Sequence, residues 1–241
     1  MKRKRFLIIV ATHGNEGFAV PVLQQLEKRF ARSQYGYDWI IGNPTALMAN
    51  KRFIDTDLNR CAPGDALSCI YEEKRAAEIM TLSKNYEFVI DIHGTNATCG
   101  VCTIIPIPRI NNLLLAASMN CQQNIIWNNP ASRLRGPLTQ HVLCPAIELE
   151  CGPKNNRETA LKLTTTLSNF LRNYKRIGLG MNSLNWYQVI GLNSNKKTTS
   201  DFDQITHDNK EKFTFLNGEY ASGKAIILEK ICFDSLFYSR D

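Results

Sequence analysis

His13 and Glu16, three residues apart in the stretch Ala11 to Gly17, set an imidazole and a carboxylate directly after a short apolar run. Gly14 and Gly17 allow a tight turn there, so the two side chains can converge on one point in a way that neighbours on a strand cannot. Such a pair is half of a zinc site; alone it is common, and it needs a third ligand and a base from elsewhere in the chain. His93 follows the run Phe88 to Ile92 in the same manner, and Glu150 closes the run Pro145 to Glu150. Two histidines and a carboxylate form a catalytic zinc set that leaves a coordination position open for water. Glu150 is then placed to take a proton from that water. Taken singly, His93 reads as a satisfied core or loop histidine, but its position at a strand end, in step with His13, favours the ligand. The segment Lys51 to Arg60 is a second constellation. Arg52, Asn59 and Arg60 offer planar donors for a carboxylate, and Asp57 can orient a metal-ligating imidazole. A solvated surface loop is the ordinary reading of an isolated cluster of this kind.

These residues need strands and turns to carry them. Phe6 to Val10 is short, apolar and rich in β-branched residues, as expected for a strand covered on both faces. The spacing of Val20, Leu23, Leu26 and Phe30 predicts a helix over 18–32, followed by a strand at Trp39 to Ile41 and a polar segment from Gly42 to Arg60. Further helices are predicted over 68–84, 111–120 and 157–174, and strands over 88–92, 124–127 and 145–150. The alternation argues for an α/β fold with a mainly parallel, mixed sheet flanked by helices, and open α/β sheets place their chemistry just past the strand ends. Beyond Gly178 the pattern changes to strands at 186–190, 212–216 and 225–230. The expected organisation is therefore a catalytic α/β domain over 1–176 and a small β-rich unit over 177–241.

With 241 residues and 44% hydrophobic composition the chain can bury a full core. No run approaches the roughly 18 apolar residues of a membrane span, and the charged N-terminus lacks a signal-type apolar segment, so no membrane association and a cytoplasmic location are expected. The eight cysteines have no framework spacing, and Cys99-Gly-Val-Cys102, the single CxxC, lacks the second pair of a zinc knuckle. The net charge of +7 is scattered apart from Lys2 to Arg5, and no nucleic-acid-reading motif accompanies it. A basic balance suits small anionic substrates instead. Oligomeric state is left open, a homo-oligomer included.

Taken together, the chain resembles the aspartoacylase and succinylglutamate desuccinylase family, relatives of the zinc carboxypeptidases. The matching stretches are Thr12 to Glu16, Gly42-Asn43-Pro44 with Ala46, Arg52 to Arg60, Asp91-Ile92-His93 and Glu150-Cys151-Gly152-Pro153, in the family's order. The resemblance implies a zinc carboxypeptidase-like fold and hydrolysis of the amide of an N-acyl amino acid. It implies one zinc per chain held by His13, Glu16 and His93, water promoted by Glu150, and Arg52 on the scissile carbonyl and its oxyanion. Asn59 and Arg60 would bind the substrate's α-carboxylate. Phe215 to Tyr220 resembles the family's C-terminal segment, whose tyrosine reaches the substrate; an ordinary strand tyrosine is the alternative for Tyr220. Glu148 faces the same side of its strand as Glu150 but lacks the Glu-x-Gly-Pro context, which suits a supporting carboxylate. His141 and His207 match no ligand position. Gln140 stands where relatives acting on N-acetylaspartate carry an arginine, with Arg133 or Arg135 as replacements. A carboxypeptidase and a non-catalytic binding module are the competing readings.

Overall fold

Residues of the first strand, β1 (Lys4–Val10), alternate between two cores. Phe6, Ile8 and Val10 join one buried cluster, and Leu7 and Ile9 join another on the opposite face of the sheet. A strand covered on both sides has no polar face, which is why its sequence reads as a continuous apolar run. This chain is seen in a computed structural model that describes residues 4–128, 136–174, 183–193, 200–220 and 224–233. After β1 come α1 (Ala19–Arg29), the single turn α2 (Arg32–Tyr35), β2 (Tyr37–Ile41), α3 (Pro44–Met48), α4 (Tyr71–Ser83) and β3 (Tyr86–Gly94). They are followed by β4 (Gly100–Ile105), α5 (Ile110–Ser118), β5 (Gln123–Ile126), β6 (Ala146–Gly152) and α6 (Arg157–Asn173). The last described strands are β7 (Asn185–Asn193), β8 (Gln204–His207), β9 (Lys210–Tyr220) and β10 (Lys224–Ile231).

The strands form a ten-stranded mixed sheet in the order β2-β1-β3-β6-β4-β5-β7-β10-β9-β8. β2, β1, β3 and β6 are mutually parallel. β4 opposes β6, while β4, β5 and β7 run parallel to one another. The antiparallel strands β10, β9 and β8 complete the far edge. Helices α1 and α6 cover one face through Leu23, Leu26, Leu163, Leu167 and Phe170, and α4 covers the other through Ala76 and Ile79. The chain leaves β1 towards β2 on one side and returns to β3 on the other, so the carboxyl ends of β1 and β3 flank a topological switch point, where open α/β sheets hold ligands.

Local features differ from the sequence expectation, among them β8, which is not one of the strands expected beyond Gly178. The helix predicted over 18–32 ends at Arg29, and Arg32 to Tyr35 form a separate turn closed by Gly36 at φ 69°. The polar segment after Gly42 contains α3, which is too short to show a period; Pro44 sits in its first turn and Asn43 caps it by accepting the Ala46 N–H. Strand β4 was not predicted at all. Its Val101 to Ile105 run carries β propensity, but only insertion beside β6 makes it a strand of the central sheet. Among the described residues no helix is long and apolar enough to cross a membrane. Cys99, Cys102, Cys121 and Cys151 are buried and carry free thiols, as small hydrophobic residues of the core.

Candidate active site

At the end of β1 the backbone turns sharply. Ala11 takes φ 53°, a left-handed conformation that costs a residue with a Cβ on the order of 1 kcal/mol. Its carbonyl accepts the Asn43 N–H at 3.0 Å, which ties the turn to the start of α3. A 3-10 turn over Gly14–Glu16 follows, and Gly14 donates its N–H to the Arg52 carbonyl at 3.1 Å. A Cβ on Gly14 would lie 2.1 Å from the Ala46 carbonyl carbon, so only glycine lets this turn seat against α3. The outcome is that His13 and Glu16 leave the strand axis and point towards the end of β3.

There they meet His93. Ligand atoms of His13, Glu16 and His93, all three buried, lie within 4.8 Å of one another and could hold a metal ion. Glu16 is the hinge of the cluster. Its Oε1 is 2.9 Å from His13 Nδ1, while its Oε2 lies 3.4 Å from His93 Nδ1 and accepts the Gly94 N–H at 2.9 Å. Each ring turns its other nitrogen to an aspartate: His13 Nε2 is 3.0 Å from Asp57 Oδ1, and His93 Nε2 is 3.1 Å from Asp91 Oδ2. Asp91 is itself held by the Thr12 hydroxyl, which donates to Oδ1 at 2.8 Å. Burial raises the Glu16 pKa, but hydrogen bonds from His13 and His93 outweigh it and hold the carboxyl well below the ordinary range. Asp57 is also held low, burial being overcome by His13 and Arg52. For His93, burial favours the neutral ring, yet Asp91 and Glu16 raise it well above the usual imidazole value. Two Nδ1 atoms and a carboxylate converging on one point, with both Nε2 atoms fixed by aspartates, suit zinc in donor type and in the orientation of the rings.

The Lys51 to Arg60 segment closes one side of this cluster. Arg52 donates from Nη2 to Asp57 Oδ2 at 3.1 Å, and its Nη1 lies 3.7 Å from Glu16 Oε1, with its side chain 45% exposed and able to reach a ligand. Leu58 anchors the segment in the core, and Asn59 is buried beside it. The Asn59 Oδ1 accepts the Leu138 N–H at 2.7 Å. Arg60 is exposed and donates from Nη1 to the Asn59 carbonyl at 2.7 Å. On β6, Glu150 pairs in register with His93 and Glu148 with Asp91, so all four side chains share one face. Glu148 is buried and accepts the Thr139 hydroxyl at 3.0 Å; burial pushes its pKa up, with His93 partly opposing. Gln140 ends the short 3-10 turn that carries Thr139. Arg133, Arg135 and the side chain of Tyr220 lie outside the described residues.

Sequence reasoning gave no role to Asp91, Thr12 or Glu72. Asp91 had a usable signal, since two residues before His93 on a strand it must share that histidine's face. Thr12 and Glu72 had none, because their partners lie 79 and up to 29 residues away.

The mixed sheet with its flanking helices has the zinc carboxypeptidase-like α/β fold, and its parallel strand ends carry the His–Glu–His cluster. Over residues 2–174 the sequence matches the succinylglutamate desuccinylase/aspartoacylase catalytic domain, and the chain belongs to that family. A probable aspartoacylase of Nostoc sp. is 35% identical over 116 residues, covering 43% of this chain and 40% of the relative. One from Prochlorococcus marinus subsp. pastoris is 34% identical over 124 residues, covering 48% and 42%. The matched region thus spans less than half the length of these curated relatives. Among solved structures, murine aminoacylase 3 superposes with a TM-score of 0.74 at 19% identity, covering 96% of both chains. The succinylglutamate desuccinylase of Chromobacterium violaceum gives 0.68 at 16% identity, covering 95% of this chain and 85% of that one. At such identities the structural likeness speaks for the fold.

Proposed function

We propose that this protein is a zinc-dependent hydrolase that cleaves the amide bond of a small, anionic N-acyl amino acid. The convergence of His13, Glu16 and His93 at the switch point carries the reading, since these three would hold one zinc ion per chain. Zinc supplies Lewis acidity, making water acidic enough to ionise near neutral pH. Glu150, beside His93 on β6, takes the proton of the attacking water and returns it to the leaving amine. Arg52, half-exposed and steadied by Asp57, donates to the carbonyl oxygen as negative charge develops on it. Asn59 and Arg60 receive the α-carboxylate, and Tyr220 is a further substrate-contacting residue on the family resemblance alone. Asp57 and Asp91 keep the imidazole rings of His13 and His93 turned with Nδ1 towards Glu16.

Zinc-loaded protein offered acetyl, succinyl and formyl amino acids should release free amine from at least one of them. Release of C-terminal residues from peptides, with acyl amino acids untouched, would make it a carboxypeptidase. Metal-loaded protein inert towards both would make it a binding module. Within the proposed reaction, Arg52→Ala should lower kcat about 10²-fold with a smaller change in KM, because its partner is the developing oxyanion. A loss confined to KM would assign Arg52 to ground-state binding instead.

A further inference from the structure

We propose that Glu72, in the first turn of α4, is a positioning residue that fixes Arg52 and Asp57 against the His13–Glu16 turn by clamping the backbone between them. Its side chain is fully buried, and among the described residues its hydrogen-bonding partners are amides. Oε1 accepts the Ile54 N–H at 2.7 Å and the Asn43 side-chain amide at 3.1 Å. Oε2 accepts the N–H groups of Asp55 at 3.1 Å and Thr56 at 3.3 Å. Four donors match the roughly four lone-pair sites of an ionised carboxylate. Burial raises the Glu72 pKa, and these hydrogen bonds, led by Ile54, outweigh it and keep the group charged.

The geometry of the chain gives the clamp its purpose. The three gripped amides are those of residues 54, 55 and 56, the link between Arg52 and Asp57. The fourth donor belongs to Asn43, whose Oδ1 caps α3 and whose backbone N–H holds the Ala11 carbonyl. Since α3 backs directly onto Gly14, one carboxylate ties together the loop bearing Arg52 and Asp57 and the turn bearing His13 and Glu16. Two further contacts brace α4 for this task. Asp55 Oδ2 accepts the Tyr71 N–H at 3.1 Å, and Arg75 donates to the carbonyls of Ile41 and Gly42, each at 2.8 Å. Arg52 is exposed, so its aim depends on the backbone that carries it, and a displacement near 1 Å is enough to depress a reaction that relies on orientation.

The kinetic arm of the test rests on the hydrolase reading; the exchange arm does not. In wild-type protein the amide hydrogens of residues 54–56 should exchange as slowly as those of α4, although they lie in a loop. Glu72→Gln turns one acceptor oxygen into a donor facing other donors. It should speed exchange at 54–56 about 30-fold, leaving β1 and β3 unchanged and zinc content at one per chain. It should also lower kcat about 30-fold with little change in KM, and in the double variant add much less than that to the loss already caused by Arg52→Ala. Fast exchange at 54–56 in the wild type, or losses that multiply in the double variant, would overturn the clamp. The wild-type measurement decides the matter even if the variant does not fold. A wild type that holds no zinc and hydrolyses no acyl amino acid would instead overturn the hydrolase reading, with the exchange data still judging Glu72.

Discussion

Glu150→Gln is expected to keep about one zinc per chain and to lose about 10³-fold in kcat, within the range that a positioned general base contributes. The reason lies in the register of β6. Glu150 is the neighbour of His93 on one side and of Cys102 on the other, at the carboxyl end of the parallel strands. It stands outside the trio whose ligand atoms converge, so an amide in its place leaves those ligands intact. Glutamine keeps the shape of the side chain and cannot accept a proton. Metal analysis and steady-state kinetics on the same sample separate the two effects. Glu148→Gln is the necessary comparison, because Glu148 lies on the same face one pleat back. Its carboxyl is buried and engaged by Thr139, so the change should cost stability and leave kcat within about tenfold of wild type. If Glu148→Gln abolished turnover while Glu150→Gln remained fully active, the base would have been assigned to the wrong carboxylate.

His93→Ala should abolish zinc binding and, independently, weaken the metal-free protein. Removing the imidazole takes away one of three ligands and leaves two buried carboxylates, Glu16 and Asp91, without their common partner. Leaving a buried charge without its partner costs about 3 kcal/mol. The Thr12 hydroxyl on Asp91 and the Gly94 N–H on Glu16 remain, so the chain should still fold. In urea denaturation, wild-type protein with free zinc at about 100 times Kd should gain about 2.7 kcal/mol. The variant should gain nothing from zinc and start lower without it. An equal gain from zinc in both proteins would remove His93 from the ligand set and place the metal elsewhere.

His13, Glu16 and His93, which the fold brings together, were legible in the sequence because their signals are local. A buried parallel strand announces itself as an apolar run, so a histidine or glutamate just after such a run is visible without knowing the fold. Glycine at 14 signals a tight turn, and the structure adds that it also lets Ala46 approach closely. The succession of helices and strands likewise followed from periodicity, and it named the α/β class. Periodicity did not reveal β4 or α3. The first owes its place to pairing with β6, and the second, at five residues, to a cap and a proline.

What only the tertiary structure decided is how each polar group in the site is satisfied. Asp57 and Asp91 each hold one imidazole, Asn59 gives its oxygen to Leu138, Glu148 takes the Thr139 hydroxyl, and Glu72 clamps the Arg52 to Asp57 segment. Residue types state how many hydrogen bonds each group requires once buried, and the sequence by itself determined those types, the strand ends that carry them and the metal chemistry they suit. Which donor meets which acceptor depends on segments up to 79 residues apart being folded against one another, because a buried carboxylate takes its partners from whatever the packed chain brings within 3 Å or so.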